Sequence, residues 1–174
     1  MAIGSVVGKV MNHGFAGSYS RQPDMIIDSI PAGDDIKFGD AIVYNASGQA
    51  INVATLIAGS GTFAATGFVG IATREVKSAT DYLNQNVGGY AENEITPVMK
   101  RGRVNIKCQR GTAANNGDVY VRVAVNASYP TCVIGGFEAS SDTTNSVKLT
   151  NARWGGAADA NGIAELVILT QENA

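Results

Sequence analysis

Arg103-Val104-Asn105-Ile106-Lys107-Cys108 alternates polar and apolar residues without a break, and Val119-Tyr120-Val121-Arg122-Val123-Ala124-Val125 does so again. A period of two built on β-branched residues marks a half-buried antiparallel strand, because successive side chains of a strand point to opposite faces. The pattern puts Val104, Ile106 and Cys108 on one face, with Arg103, Asn105 and Lys107 on the other. In the second strand it sends Val119, Val121, Val123 and Val125 inward and Tyr120, Arg122 and Ala124 outward. Between the two lies Asn115-Asn116-Gly117-Asp118, residue types that tolerate the left-handed backbone of a tight turn.

Outward from this pair the same units recur. Upstream, Ile95 to Met99 leads through Arg101-Gly102, read as a turn, into the first strand. Phe68-Val69-Gly70-Ile71 and Ala41-Ile42-Val43-Tyr44 are short apolar runs, and the run from Ile51 to Ile57 ends at Gly59-Ser60-Gly61. Thr73 to Leu83 suits either one helix or a long loop. Downstream come Val147 to Thr150, Ala152 to Trp154, a turn at Asp159-Ala160-Asn161-Gly162, and a closing strand from Ile163 to Leu169. That last strand is apolar on both faces except at Glu165, which places it at a sheet centre or a subunit contact. Phe38-Gly39-Asp40-Ala41-Ile42-Val43 and Asn116-Gly117-Asp118-Val119-Tyr120-Val121 enter their strands alike. Short strands separated by Gly and Asn turns predict an all-β fold, an antiparallel β-sandwich or barrel.

Residues 1–39 lack a clear period and carry Gly4, Gly8, Gly14, Gly17, Gly33, Pro23 and Pro31. They are expected to form an extended N-terminal arm or partner-binding segment, or else to wrap their own domain; residues 40–174 are the β-domain. The first residues lack a basic stretch, and Lys9 interrupts the apolar run, so no signal peptide is expected.

Composition narrows the function. The chain has 174 residues, enough for one self-sufficient core. Charged residues make up only 16%, and net charge is −2, with no basic block to track a nucleic acid; Lys100, Arg101 and Arg103 read as a solvated turn. Residues 41–73 contain no charge at all, yet they include Asn45, Gln49, Asn52 and five glycines. Their apolar runs are too short for a membrane helix, and burial or a protein interface explains them better.

Motifs for chemistry are scarce. The single histidine, His13, has no Gly-x-Ser-x-Gly partner, and the aspartates at 24, 28, 34, 35 and 40 lack a calcium-loop register. Gly4-Ser5-Val6-Val7-Gly8-Lys9-Val10 is one residue short of a phosphate loop and lacks its hydroxyl. Cys108 and Cys132 have no Cys-x-x-Cys spacing; they are buried free thiols, or a disulfide if their strands are neighbours. No catalytic residue, cofactor or metal site is expected, and the reading is of a structural protein rather than an enzyme.

Ile26-Ile27-Asp28-Ser29-Ile30, Gly33 through Val43, and Gly67-Phe68-Val69-Gly70-Ile71-Ala72 are followed by Tyr90, Ile95 through Gly102, and Gly117 through Val121. The chain ends with Leu149 through Trp154 and Asn161 through Leu166. In this order the motifs resemble the structural cement (decoration) proteins of tailed-phage capsids, over most of the chain past about Ile26. The resemblance implies an all-β virion protein on the capsid exterior that binds the phage major capsid protein across subunit joints and holds the expanded head. It also implies self-association, as a homotrimer or a dimer, with no nucleic acid, membrane or cofactor.

Within that reading the capsid-contact candidates are Phe15, Tyr19, Arg21 and Pro23, since aromatics and Arg favour interface hot spots. The self-association candidates are Leu166, Ile168 and Leu169 of the closing strand. Two other readings stand beside it. One is a tail-fibre or carbohydrate-binding β-module, which the 7% aromatic content and lone Trp154 disfavour; the other is a β-sandwich enzyme, which the lone histidine disfavours.

Overall fold

The computed structural model describes residues 12–75 and 88–170, and these residues are β-structure with one short helix and brief 3-10 turns. In chain order they form β1 (Tyr19–Pro31), β2 (Ile36–Lys37), β3 (Ala41–Tyr44), β4 (Ala50–Asn52) and α1 (Val53–Ala58). Next come β5 (Gly70–Ala72), β6 (Gly89–Tyr90), β7 (Ile95–Arg110) and β8 (Gly117–Arg122). The last are β9 (Phe137–Glu138), β10 (Ser146–Trp154) and β11 (Ile163–Ile168).

Strand β7 is the spine. Its second half pairs antiparallel with β11, from Ile168↔Gly102 to Ile163↔Lys107, and its end pairs in parallel with β9 at Cys108↔Phe137. Strands β11–β10, β10–β8 and β8–β9 complete the circuit back to β7, so this half is a closed barrel with no free edge. The first half of β7 carries β1 on one edge and β5 on the other, and β5 leads on to β3 and β4. A parallel bridge between Ala32 and Ala50 joins the end of β1 to β4, so this sheet also folds back on itself. Strands β2 and β6 form a separate two-stranded ribbon.

The alternation read from the sequence fills these cores. Val104, Ile106, Val119, Val121, Phe137, Leu149, Trp154, Leu166 and Ile168 pack into the main cluster. A smaller one collects Ile30, Ala32, Ile36, Ile42, Ala50, Ala72 and Val98. Strand β3 serves both, with Ile42 in the smaller cluster and Ala41 and Val43 in the larger. Each fully buried aliphatic side chain stabilises the fold by about 1.5–3 kcal/mol.

Four local readings are corrected. Arg101-Gly102 is not a turn but the middle of β7. There Gly102 adopts φ +131°, and a Cβ would lie 2.9 Å from that of Met25, so it is the place where β1 crosses closely. The run 51–57 divides: Asn52 Oδ1 accepts a hydrogen bond from the Thr55 backbone N–H, which starts α1 where a strand was expected. Strand β8 ends at Arg122, leaving Val123 half-buried and Val125 77% exposed. Arg122 and Asn105, assigned to outer faces, are both buried.

Of the two expectations for residues 1–39, the described part fits the segment that wraps its own domain: Tyr19–Pro31 is a strand of the sheet, and its three register shifts against β7 hid its period. Before it, Gly17 N–H donates to the Asn105 carbonyl and Asn105 N–H to that of Ser18, so residues 13–18 lie over β7. The first part of the expected arm, 1–11, and most of the helix-or-loop segment, 76–83, lie outside the described residues.

Candidate functional site

The N-terminal candidates are held by their own chain. The Phe15 ring, 67% exposed, lies under the Arg74 guanidinium at 4.8 Å, and the same cation sits 5.4 Å from the Phe38 ring. Phe38 meets Tyr90 edge to face at 5.2 Å, and burial pushes the Tyr90 hydroxyl up to about 12. The Tyr19 hydroxyl donates to Glu75. Arg21 reaches the buried Glu165 at 2.9 Å, where Arg103 at 2.5 Å and the Ser20 hydroxyl at 2.5 Å also converge. Pro23 is exposed among the register shifts of β1, where the neighbouring Asp24 pairs with Arg101. Phe15 and Tyr19 therefore converge on Arg74 and Glu75, Arg21 joins the Glu165 cluster, and Pro23 stands apart.

Of the self-association candidates, Leu166 and Ile168 belong to the main core of their own chain. They are spent inside the barrel because β11 lies between β10 and β7. Leu169 follows the strand and is 48% exposed.

A feature the sequence did not announce lies at the far end of β7. Arg122 is fully buried, with Nε 2.5 Å from Glu138 Oε1 and Nη2 2.9 Å from Asp142 Oδ2. Arg110 approaches Glu138 from the other side at 3.5 Å. Asp142 holds both oxygens 3.0 Å from the Asn126 side-chain amide. Burial alone would raise the Asp142 carboxyl, but the Asn126 amide and Arg122 outweigh it and hold the group below its usual range.

These charges brace the loop 123–136, which joins β8 to β9. The Arg110 guanidinium stacks on the Tyr129 ring at 4.2 Å. Gln109 brackets Val133, accepting its N–H at 2.9 Å and donating to its carbonyl at 3.0 Å. Gly135 N–H donates to the Arg122 carbonyl. The loop itself has no charged residue and exposes Val125, Tyr129 and Val133.

This loop meets the other charge-free segment, 41–73. Gly135 lies against the start of α1, where a Cβ would be 3.6 Å from that of Val53, and Phe68 meets Phe137 edge to face at 6.5 Å. Around the contact, Ala54, Thr55 and Ala58 of α1 are exposed. Two segments remote in sequence, neither with a charge of its own, thus meet at Gly135 and Val53, while the Asp34 carboxyl lies beside Thr55 of α1 and Arg110 covers Tyr129. The absence of charge from 41–73 was visible in the sequence; its continuation through 123–136 was not, because only folding brings Gly135 to Val53.

Both cysteines are free; Cys132 is buried and Cys108 half-buried, and burial pushes the Cys108 thiol up, away from the reactive thiolate. Among the described residues no three His, Cys, Asp or Glu side chains gather as a metal ion requires, and no helix is long and apolar enough to cross a membrane.

Comparison with known proteins adds to this geometry. The family model described as structural cement protein (E217 gp24/Pam3 gp6) matches residues 3–169. A chain from the solved capsid of Myoviridae phage XM1 has a similar fold, with a TM-score of 0.63 at 14% identity, covering 99% of this chain and 100% of that one. No curated protein matches.

Proposed function

Because the chain belongs to the phage structural cement family, whose role is capsid-associated and structural, we propose that it binds the outer surface of a phage head across joints between major capsid subunits. There it stabilises the expanded shell. The observation that carries this reading is the family match over residues 3–169, on a fold shared with a chain of a phage capsid. The surface supports it: exposed apolar side chains at Val125, Tyr129 and Val133, on a loop tied to β7 by Gln109 and Arg110, suit attachment to protein. Cohesion then comes from buried area repeated at many sites on the shell, with no reactive group required.

Self-association, as a homotrimer or a dimer, belongs to the same proposal. With Leu166 and Ile168 inside the core, Leu169 is the remaining member of that set available to a partner. Phe15, Tyr19, Arg21 and Pro23 stay candidates for capsid contact, now as parts of a braced surface rather than a free arm. Electron microscopy of heads carrying the protein tests the reading: density outside the shell and across subunit joints is expected. Density inside the head, or on the tail alone, would refute it.

A further inference from the structure

We infer that Asp34 is a proton-sensitive latch: with its carboxyl protonated the corner where β1, β4 and α1 meet is closed, and ionisation loosens it. The property belongs to the single chain and goes beyond attachment to a capsid.

Backbone bonds build the corner on both sides of Asp34. Ala32 N–H donates to the Glu94 carbonyl at 2.7 Å, Asn93 N–H to that of Ala32 at 2.8 Å, and Gly33 N–H to that of Ala50 at 2.7 Å. Gly33 is packed so closely that a Cβ there would lie 2.9 Å from the Asn45 side-chain nitrogen and 3.0 Å from Ile51 Cγ2. On the other side, the Asn52 side-chain amide donates to the Asp35 carbonyl at 3.1 Å, and Ile36, fully buried, pairs with Tyr90. The chain is thus pinned around Asp34, and its backbone cannot shift toward water unless these bonds break.

Held there, both Asp34 carboxylate oxygens are shut off from solvent and have no hydrogen-bond partner, although the residue as a whole is only half-buried. The Thr55 hydroxyl and the Asn52 backbone N–H lie near without completing a bond. Among the described residues no cation pairs with this charge. Strands β3 and β4 and helix α1 carry no charged residue. Asp35 and Glu92 face Asp34 with like charge, as does Asp40, while Lys37 acts on Asp40. Glu94, in the same turn as Glu92, accepts the Ala91 N–H at 2.7 Å.

An unpaired buried charge is far costlier than a buried neutral acid, so the proton decides whether the corner is at rest. Burial raises the Asp34 carboxyl above its usual range; Thr55 and Asn52 oppose it, and the repulsion of Asp35 and Glu92 adds to it. Stability from the protonated form is therefore fully present below the unfolded value, about 3.9, and is lost as pH rises through the higher folded value.

Amide hydrogen exchange and thermal melting of the full-length parent and of Asp34→Asn, across about pH 4 to 8, test this. Asparagine keeps the shape and removes the charge. After correction for intrinsic exchange, the Gly33 and Asn93 amides of the parent should lose about tenfold in protection from the acid to the neutral end. The Cys108 amide, bonded to the Gly162 carbonyl in the barrel, should hold its protection. Asp34→Asn should keep the higher protection throughout and melt above the parent at neutral pH, with the gap closing in acid. Asp35→Asn, at an exposed carboxylate, should leave most of the response in place. Protection of Gly33 and Asn93 that ignores pH in the parent overturns the inference. So does an Asp34→Asn chain that melts below the parent at neutral pH, by showing that Thr55 and Asn52 hold a carboxylate the fold needs. A corner that tightens with calcium or magnesium at constant pH, an effect lost in Asp34→Asn, also overturns it, because a cation rather than a proton then closes the corner.

Discussion

Arg122 Nε lies 2.5 Å from Glu138 Oε1, and solvent reaches neither side chain. The pair is joined by Asp142 and Arg110, so each buried charge has an opposite at hand. Removing one member therefore leaves the others uncompensated. Arg122→Met is expected to destabilise the fold by about 3–5 kcal/mol, read by chemical denaturation. A loss below about 1 kcal/mol would show that the network does not hold the barrel end.

Glu165 makes a second prediction, on pH. Burial pushes its carboxyl up, but the Ser20 hydroxyl, Arg103 and Arg21 outweigh this and leave it below its usual range. A carboxyl depressed in the folded state contributes stability above its unfolded value, about 4.3, and loses it as pH falls through the folded value. Glu165→Gln should therefore lower stability by about 1–3 kcal/mol at neutral pH and flatten the acid limb of the melting curve. Asp34 and Asp40, raised by burial, act in the opposite direction in both proteins, so the difference between parent and variant isolates Glu165. Parallel acid limbs would contradict the assignment.

Gly102 supplies the third. Its φ of +131° and the 2.9 Å approach to Met25 leave no room for a side chain. Gly102→Ala should cost on the order of 1–3 kcal/mol, measured by thermal unfolding. An unchanged midpoint would mean that β1 does not cross β7 as described.

The fourth concerns the N-terminal segment. Deleting residues 1–22 removes Arg21 and Ser20 from Glu165 and the backbone bonds of Gly17 and Ser18 to Asn105. The truncated chain should melt several degrees lower than the parent, by differential scanning calorimetry. A detached arm would instead leave the midpoint in place.

The sequence revealed the fold class because most strands pack by simple alternation. Val104, Ile106, Val119 and Val121 are buried as their spacing predicts, and the turn at Asn115-Asn116 is present, with Asn116 at φ +61°. What stayed hidden depends on partners distant in the chain. Arg122 alternates as a surface residue and is buried only because Glu138 and Asp142 return to meet it. Asn105 is covered by residues 13–18, whose own pattern is erased by glycines and register shifts. Strand β11 read equally as a sheet centre or a subunit contact; its neighbours β10 and β7 decide for the centre. The candidate site was half legible, through the charge-free run 41–73, while the loop beside it became a candidate only once the braces beneath it were visible.

The measurement that tests the central claim most directly is the thermal rupture of otherwise identical heads with and without the protein, followed by calorimetry and release of DNA. A cement role predicts that undecorated heads rupture at a clearly lower temperature, and that adding purified protein back restores the higher value. Equal rupture temperatures with and without the protein, at full occupancy, would contradict it.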